Sequence, residues 1–354
     1  MLGKCYLLFR QFIKEEFIIK KRITCWLLFA FLFLVNVLFT NQVDASAGNF
    51  SISPLTEKGE FLQQGYYHFV GLPGAKKSAS LELKNRTDKE IDIEIEINTA
   101  WTNKNGLPSY TSNKNKDSTL TYLIEELVNI EDTVVTIPAN GEKIVPIIIN
   151  YPKAKWEGQV LGGLRLHENN KKEEKKGVEN EVAYTVGILL EMENTEQVDY
   201  QFRMNNVKAN QRNYRNFIEV NLQNMAPKII KDMIVQTYIY KGNQSKPVYE
   251  LQSDSFRMAP NSNFDIGVPT GDMPVSPGNY HALLKVEVDN QIYEFSKDFV
   301  IEQETAHQLN QSAVNIVGND NTVIYLIVTI IGLVALLYII KQFMSRRTCS
   351  KLKN

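Results

Sequence analysis

Cysteine is almost missing from this 354-residue chain, and its three copies, Cys5, Cys25 and Cys349, all lie close to the two ends. The long middle of the chain therefore has no thiol that could form a disulfide bond or attack a substrate. Small secreted domains are often held together by disulfides, so the middle part does not belong to that disulfide-rich class.

Catalytic motifs are missing as well. Residues 48–322 contain no G-x-S-x-G, Ser-x-x-Lys or H-E-x-x-H pattern, no phosphate-binding glycine loop and no D-x-D-x-D-G calcium loop. The four histidines stand singly, without a second ligand at the spacing of a metal site. Acidic pairs such as Glu125 with Glu126 could serve glycoside hydrolysis, but carboxylates this common are interpreted as surface groups. We therefore predict no catalytic residue, no metal site and no cofactor.

Long apolar runs, by contrast, stand at both ends of the chain. The first covers residues 23–39, follows the basic residues 20–22 and precedes the small residues 45–47. This order is typical of a signal peptide, so we predict one over residues 1–47, with the mature chain starting near Gly48. The apolar core is longer than is usual for a signal peptide, which leaves an uncleaved membrane anchor as the alternative.

The second run, residues 323–340, has 18 residues and no charge, which is long enough to span a bilayer. Residues 341–354 then carry five Lys/Arg and no acid, and such basic flanks lie on the cytoplasmic side. We therefore predict one transmembrane helix over 323–340 with a cytoplasmic tail, and the middle of the chain outside the cell membrane. Export without disulfides is most simply explained by a Gram-positive cell envelope. No cysteine directly follows the cleavage site, which excludes a lipoprotein anchor.

The net charge of −1 hides an acidic middle part. Residues 48–322 carry 28 Lys/Arg and 37 Asp/Glu, a balance of −9. Proteins that bind nucleic acid neutralise its phosphates with clustered Lys and Arg. The balance therefore disfavours nucleic acid as a partner and, for the same reason, the polyphosphate teichoic acids.

Alternation of apolar and polar residues runs through this middle part and is typical of half-buried strands. The isoleucines of residues 91–97 alternate with acidic residues, and two alternating runs, 280–288 and 293–301, indicate a hairpin. Short strands with frequent turn signals predict an all-β fold of two tandem immunoglobulin-like β-sandwiches. One short helix is expected over residues 120–128.

The middle part has roughly 275 residues, which is enough for two domains with separate cores. A mixed-charge stretch at 169–181 indicates a solvated loop between them. We therefore predict an N-terminal sandwich over 48–168 and a C-terminal sandwich over 182–302. The polar, aperiodic residues 303–322 are expected to form a stalk above the membrane.

A weak internal repeat favours two domains with the same β-sandwich fold. Residues 83–85 and 222–224 are each followed by a turn and an alternating strand. Further along, Pro138-Ala139-Asn140 resembles Ala259-Pro260-Asn261, and each triplet precedes another strand.

Five aromatic residues of the first domain are the candidate ligand contacts, because exposed rings can stack on sugars or anchor protein contacts. Trp101 and Tyr110 are the strongest candidates, since they border or lie in the polar loop 99–118. The others are Trp156, Tyr66 and Tyr67. The alternative is that most of these rings pack in the core.

The acidic face of the strand over residues 91–97 is the candidate docking face for a protein partner. Asp92, Glu94 and Glu96 lie on its outer side and are predicted to point to solvent. Charges of this kind block indiscriminate strand pairing, so a genuine partner is expected to bring basic residues.

Six segments stand out in a fixed order along the chain: FSISP (50–54), LELKN (81–85), VVTIP (134–138), WEGQVLGGL (156–164), AYTVGILL (183–190) and MAPNSNF (258–264). Taken together in this order, they make the chain resemble the WxL-interacting protein family of Gram-positive cell surfaces. The resemblance implies an N-terminal domain that binds peptidoglycan, a C-terminal domain that binds host surface molecules, and a partnership with WxL-domain proteins.

The expected function is therefore that of a non-catalytic adaptor, anchored in the membrane by one helix, that binds peptidoglycan and a WxL-domain protein. A host extracellular protein is a further partner that the resemblance implies. The rival hypothesis is a cell-wall-active hydrolase or transpeptidase with an unrecognised site. No ligand motif of the family maps onto particular residues of this chain.

Overall fold

The computed structural model describes residues 48–169, 182–193, 197–314, 316 and 327–338. The predicted signal peptide, most of the predicted charged loop and the predicted cytoplasmic tail lie outside these residues. Within the predicted membrane run, residues 327–338 are helical. Over the described ranges, no helix has both the length and the apolar character needed to cross a bilayer.

Regular structure in the described residues is mostly β-strand, which confirms the all-β prediction. The first eleven strands are β1 (Phe50–Leu55), β2 (Tyr67–Gly71), β3 (Lys76–Asn85), β4 (Ile91–Thr99), β5 (Trp101–Thr102), β6 (Pro108–Ser109), β7 (Val128–Asn129), β8 (Val134–Ile137), β9 (Glu142–Asn150), β10 (Gln159–Glu168) and β11 (Ala183–Met192). They are followed by β12 (Phe202–Arg212), β13 (Arg215–Asn224), β14 (Ile230–Lys241), β15 (Tyr249–Met258), β16 (Ser262–Pro269), β17 (Gly278–Val288) and β18 (Gln291–Ile301).

Two sheets make up the first sandwich, one in the order β1-β3-β9-β7 and the other in the order β2-β11-β10-β4-β8. Alternation along each strand turns one face inward. The core between the sheets therefore includes Leu81, Leu83, Ile93, Leu164 and Ile188, all fully buried.

Strand β11 pairs within the first sandwich, although the sequence predicts that the second domain starts at residue 182. It runs antiparallel to β10, from the pair Gln159–Glu191 to the pair His167–Ala183, and it carries β2 on its other side. Its inward residues are buried and its outward ones partly exposed. The boundary differs from the expected one because the period of a strand shows which residues face inward but not which strand lies alongside.

Strands β3 and β4 follow each other closely in sequence but lie in opposite sheets. Strand β3 pairs with β9, whereas β4 pairs with β10 on one side and β8 on the other. The turn after Asn85 therefore crosses between the sheets instead of closing a hairpin.

The second sandwich has one sheet in the order β12-β13-β16 and another in the order β15-β14-β17-β18. Its core cluster contains residues of both sheets, among them Val220, Ile266 and Leu284. The hairpin predicted near the end of the domain is confirmed: β17 and β18 pair along their whole lengths. The turn between them has positive φ at Asp289 and Asn290, as a tight right-twisted hairpin requires.

Within the described part of residues 48–314, two short helices accompany the strands. Helix α1 (Ile124–Leu127) is shorter than the predicted one, because the chain then enters β7, which pairs with β9. Helix α2 (Gln303–Ser312) lies where the sequence predicts a stalk. It packs on the second sandwich: Ala306 is buried, and the Asn310 side chain exchanges two hydrogen bonds of 2.8 Å with the backbone of Val275.

Candidate functional site

The β5–β6 hairpin of the first sandwich reaches across to the second. Its turn contains Gly106, whose φ is +68° and whose carbonyl oxygen accepts a hydrogen bond of 2.7 Å from the Arg257 backbone N–H. A Cβ at position 106 would lie 2.5 Å from the Phe256 ring. Glycine therefore allows the hairpin to lie directly on strand β15.

Further hydrogen bonds join the two sandwiches beside this contact. The buried hydroxyls of Thr102 and Ser262 are 2.6 Å apart, and the Ala259 N–H donates to the Thr102 hydroxyl at 3.1 Å. The Gln159 side chain accepts a hydrogen bond of 2.8 Å from the Ile229 N–H. These bonds pair the buried hydroxyls of Thr102 and Ser262 and the Ala259 N–H at the junction, as a stable interface requires.

Asp117, in the loop after β6, receives hydrogen bonds from both sandwiches. Thr119 donates to it from its N–H at 2.9 Å and from its hydroxyl at 2.7 Å, Gln223 donates at 2.9 Å and Asn263 at 2.6 Å. Burial alone would raise the pKa of Asp117, but these hydrogen bonds outweigh it and lower the pKa. The ionised carboxylate therefore holds the loop to the second sandwich.

A groove of about 700 Å³ opens at the junction. Its lining includes Tyr66, Leu107 and Tyr110 from the first sandwich and Lys231, Asp232 and Arg257 from the second. Tyr66 is 44% exposed. The groove therefore combines accessible aromatic rings with charged side chains of a different domain.

A pair of glycines gives the tyrosines room. Gly163 of β10 faces Gly187 of β11 across the ladder. A Cβ on Gly163 would lie 2.8 Å from the ring of Tyr110, and one on Gly187 would lie 3.6 Å from both Tyr66 and Tyr110. Gly162 next to it lets the Ile124 side chain approach the strand. The two glycines of β10 therefore permit close packing, as glycines within strands often do.

Tyr110 itself is partly buried beside these strands. Burial raises the pKa of its hydroxyl. The group therefore stays neutral at physiological pH and can donate a hydrogen bond.

The five aromatic candidates are not brought together in one place. Tyr66 and Tyr110 share the groove, whereas Trp101 lines a separate cleft of about 260 Å³ and donates from its indole nitrogen to the Thr111 carbonyl at 3.0 Å. Tyr67 is 1% exposed, and its hydroxyl donates to the Ser80 carbonyl at 2.6 Å. The Tyr67 ring is therefore too deeply buried in this structure to contact a ligand.

Trp156 is also mostly buried. Its ring stacks on Tyr151 with 5.5 Å between centroids and lies 5.1 Å from the ring of Tyr122. It borders a cavity of about 440 Å³ between the two sandwiches. The packing of this ring supports the core interpretation that the sequence left as the alternative.

The acidic face differs from the prediction in one respect: Asp92, Glu94 and Glu96 are half-buried, not fully exposed. Glu96 lies 3.2 Å from Arg165 and 3.3 Å from His167 of the neighbouring strand, and Asp92 accepts a hydrogen bond of 2.7 Å from Thr136. Because β4 lies inside its sheet, cross-strand partners cover Asp92 and Glu96. The face remains acidic mainly through Glu94.

Three histidines have carboxylate partners that are distant in sequence. His68 lies 2.5 Å from Glu191, His281 lies 2.7 Å from Asp298, and His167 contacts Glu96. Sequence spacing could not reveal these pairs, because strand pairing creates them. In the residues that the structure describes, no group of three or more metal-binding side chains is found.

Glu125, one carboxylate of the acidic pair that the sequence offered for hydrolysis, is held by hydrogen bonds. Burial alone would raise the pKa of Glu125, but hydrogen bonds from Lys116 and from the Thr99 hydroxyl lower it. A general acid needs a raised pKa instead. Glu125 therefore acts as a structural carboxylate that ties α1 to the preceding loop.

Two family models match this chain in tandem. Residues 50–168 match the peptidoglycan binding domain of WxL Interacting Protein, and residues 173–311 match the host binding domain of the same protein. Together they cover well over half of the chain. No curated protein matches it significantly.

Solved structures show distant likenesses. A PapD-like domain of human CEP192 is 12% identical, with 42% of this chain and 87% of that chain covered and a TM-score of 0.28. The E. coli chaperone DraB is 10% identical, with 72% and 97% covered and a TM-score of 0.29. The Salmonella enterica SafA pilin in complex with the SafB chaperone gives 9% identity, 71% and 97% coverage and a TM-score of 0.30. Likenesses of this size carry no inference about function.

Proposed function

This chain belongs to the WxL-interacting protein family, and from that premise we propose that it is a non-catalytic adaptor of the Gram-positive cell surface. In this proposal the first sandwich binds peptidoglycan, the second binds host surface molecules, and the whole recruits a WxL-domain protein. The predicted signal peptide and the predicted transmembrane helix over 323–340 would place both sandwiches outside the membrane and anchor them there.

One observation carries the peptidoglycan assignment. Tyr66 and Tyr110, far apart in sequence, both belong to the domain that matches the peptidoglycan-binding model, and they line the same open groove. Sugars present flat, partly apolar faces, and aromatic rings bury such faces well. A groove with two tyrosines is therefore suited to a glycan strand.

The same groove favours binding over hydrolysis. Glycoside hydrolysis ordinarily uses two carboxyl groups on either side of the scissile bond. Among the described residues that line the groove, Asp232 is the sole carboxylate. A hydrolase or transpeptidase therefore finds less support here than an adaptor.

Co-sedimentation with purified peptidoglycan tests the proposal. The ectodomain, residues 48–314, should pellet with sacculi and should also capture a WxL-domain protein from culture supernatant. Stacking on rings is little screened by salt, so pelleting should persist at high ionic strength. An ectodomain that stays in the supernatant at every salt concentration would remove the peptidoglycan part of the proposal.

The division of roles needs fragments cut at the right place. A fragment ending at residue 168 would lack β11, which lies between β2 and β10, so its sheet would be incomplete. Residues 48–193 are the better first fragment, and they should pellet more strongly than residues 197–314. Equal or reversed pelleting would contradict the assignment of peptidoglycan binding to the first sandwich.

A further inference from the structure

The groove has two chemically different sides, and they come from different domains. Tyr66 and Tyr110 belong to the first sandwich, whereas Lys231 and Arg257 belong to the second. Both cations are exposed, and neither forms an ion pair with a described residue. Two unpaired positive charges therefore meet at one groove of an otherwise acidic ectodomain.

The position of Arg257 is tied to the hairpin that leads into Tyr110. The Arg257 backbone N–H donates to the Gly106 carbonyl at 2.7 Å, so this part of β15 is held against the turn of the β5–β6 hairpin. Replacement of the arginine side chain leaves this backbone bond available. The cation can therefore be removed without removing the contact between the domains.

Lys231 is held by an irregularity in strand β14. The pairing of β14 with β15 shifts register between Ile230 and Met233, and Asp232 within this bulge has a φ of +50°. Bulges re-aim side chains and are frequent beside functional sites. Here the bulge places Lys231 and Asp232 on the groove, where the carboxylate adds an acceptor for hydroxyl or amide N–H groups.

We propose that the second sandwich completes the peptidoglycan site: sugar rings lie against Tyr66 and Tyr110, and a carboxylate of the glycan strand pairs with Lys231 and Arg257. The inference rests on the proposed function and specifies its ligand chemistry. Peptidoglycan differs from a plain chitin-like polymer in its muramic acid units, whose lactyl group carries either a free carboxylate or a peptide that ends in one. Charge-assisted hydrogen bonds from both cations would select that feature.

A consequence is that the two domains bind the wall as one unit. The cationic side of the groove faces the tyrosines only while the junction holds the hairpin on β15. The bonds at Thr102 and Asp117 therefore position that side without touching the ligand, and residues 48–193 alone keep only the tyrosine side. The second sandwich would then keep a fixed orientation on the wall, which suits a domain that presents a surface outward.

The test uses the full chain in mild detergent and two oligosaccharides of equal length. The first is a muramic-acid-containing tetrasaccharide, which is measured once with its peptide and once without it. The second is chitotetraose, which has no carboxylate. The test variant is Lys231→Gln with Arg257→Gln. The matched control is Lys143→Gln with Lys246→Gln, two exposed lysines away from the groove. Circular dichroism verifies folding, and calorimetry measures affinity.

Loss of charge-assisted bonds should weaken binding of the muramic acid compound by about tenfold or more. Chitotetraose affinity should not change in the same variant, and the control should match the wild type with both sugars. Tyr66→Ala should weaken both sugars. If the test variant loses affinity for the peptide-free compound, the cations bind the lactyl carboxylate. If it loses affinity only for the peptide-bearing compound, they bind the peptide carboxylate. Both outcomes support the proposal.

Two results would overturn it, and a third concerns the broader function. A test variant that binds the muramic acid compound as tightly as the wild type would show that the cations take no part. Binding to intact walls that disappears once teichoic acids are stripped would identify phosphate as the ligand instead. A wild-type chain that pellets with neither intact walls nor stripped sacculi would count against peptidoglycan binding itself.

Discussion

Asn85 and Asn224 make the same hydrogen bonds at the same place in the two sandwiches. The Asn85 side-chain amide donates to the Lys89 carbonyl at 2.6 Å, and that of Asn224 donates to the Lys228 carbonyl at 2.9 Å, four residues on in each case. Each amide group also donates to the carbonyl of a distant turn: Pro138 at 2.9 Å for Asn85, and Ala259 at 3.0 Å for Asn224.

The turns that receive these bonds also match. Asn140 and Asn261 both have positive φ, and their N–H groups donate to the carbonyls of Thr87 and Ala226 respectively. The internal repeat seen in the sequence is therefore confirmed as two copies of one local arrangement. A buried asparagine closes the turn between the sheets in each sandwich.

We expect Asn85→Ala and Asn224→Ala each to lower the free energy of unfolding by about 1–3 kcal/mol, because buried carbonyl groups lose their donor. Urea titration followed by circular dichroism measures the effect. Asn243→Ala, at an exposed turn, is the control and should stay near the wild type. Unchanged midpoints in both test variants would contradict the structural role of these amides.

Gly163→Ala should destabilise the first sandwich by about 1–3 kcal/mol, the usual cost of overpacking. The added methyl group would meet the Tyr110 ring at 2.8 Å. Gly187→Ala is a matched control on the paired strand, because its nearest atoms lie at 3.6 Å, an ordinary contact distance. Thermal unfolding of the two variants should therefore differ clearly, and equal midpoints would contradict the close approach of Tyr110.

The junction should weaken in acid through Asp117. Its folded-state pKa is lowered from the ordinary 3.8, so its carboxylate stabilises the fold above the unfolded-state pKa. That contribution is lost as the pH falls through the folded-state pKa. Asp117→Asn should be less stable than the wild type at pH 7, and the difference should shrink below pH 3.8. Asp88→Asn, at an exposed turn, is the control, and a difference independent of pH would argue against the ionised form.

The acidic face can be tested by a substitution of Glu94 alone. Asp92 and Glu96 have cross-strand partners, so their replacement would also disturb the sheet. Glu94→Lys should slow association with a WxL-domain protein, and the wild-type on-rate should fall as ionic strength rises. Glu82→Lys, a half-buried position in the opposite sheet, is the matched control. Surface plasmon resonance measures both, and equal on-rates for the two variants would exclude this face as the docking surface.

Reductant should not affect the two sandwiches, because residues 48–322 contain no cysteine. The melting temperature of residues 48–314 should be the same with and without excess dithiothreitol. A clear downward shift on reduction would contradict this prediction.

Much of the architecture could be predicted from short-range patterns. Alternation with a period of two reveals strands and their inward faces, as it did for β4 and for the β17–β18 hairpin. The repeated asparagine turns were visible for the same reason, since the residues that make them are close in sequence. Resemblance across many segments then identified the family.

Pairing between distant segments could not be predicted in this way. The sequence placed β11 with the second domain and residues 303–312 in a stalk, whereas the structure pairs β11 with β10 and folds those residues into α2. Adjacent residues can also differ widely in exposure: Tyr66 is 44% exposed, whereas Tyr67 is 1% exposed. Alternation implies that the two tyrosines face opposite ways, but only the packed sheets decide which one faces the core.

The sequence by itself thus determined the β-strand content, the apolar runs at both ends, the lack of disulfides in the middle part and the family. Tertiary structure alone decided which aromatic rings share a groove and which charges meet them there. The physical reason is that strand periodicity is a local property, whereas the contacts of Tyr110 with Gly163 and of Arg257 with Gly106 join residues distant along the chain.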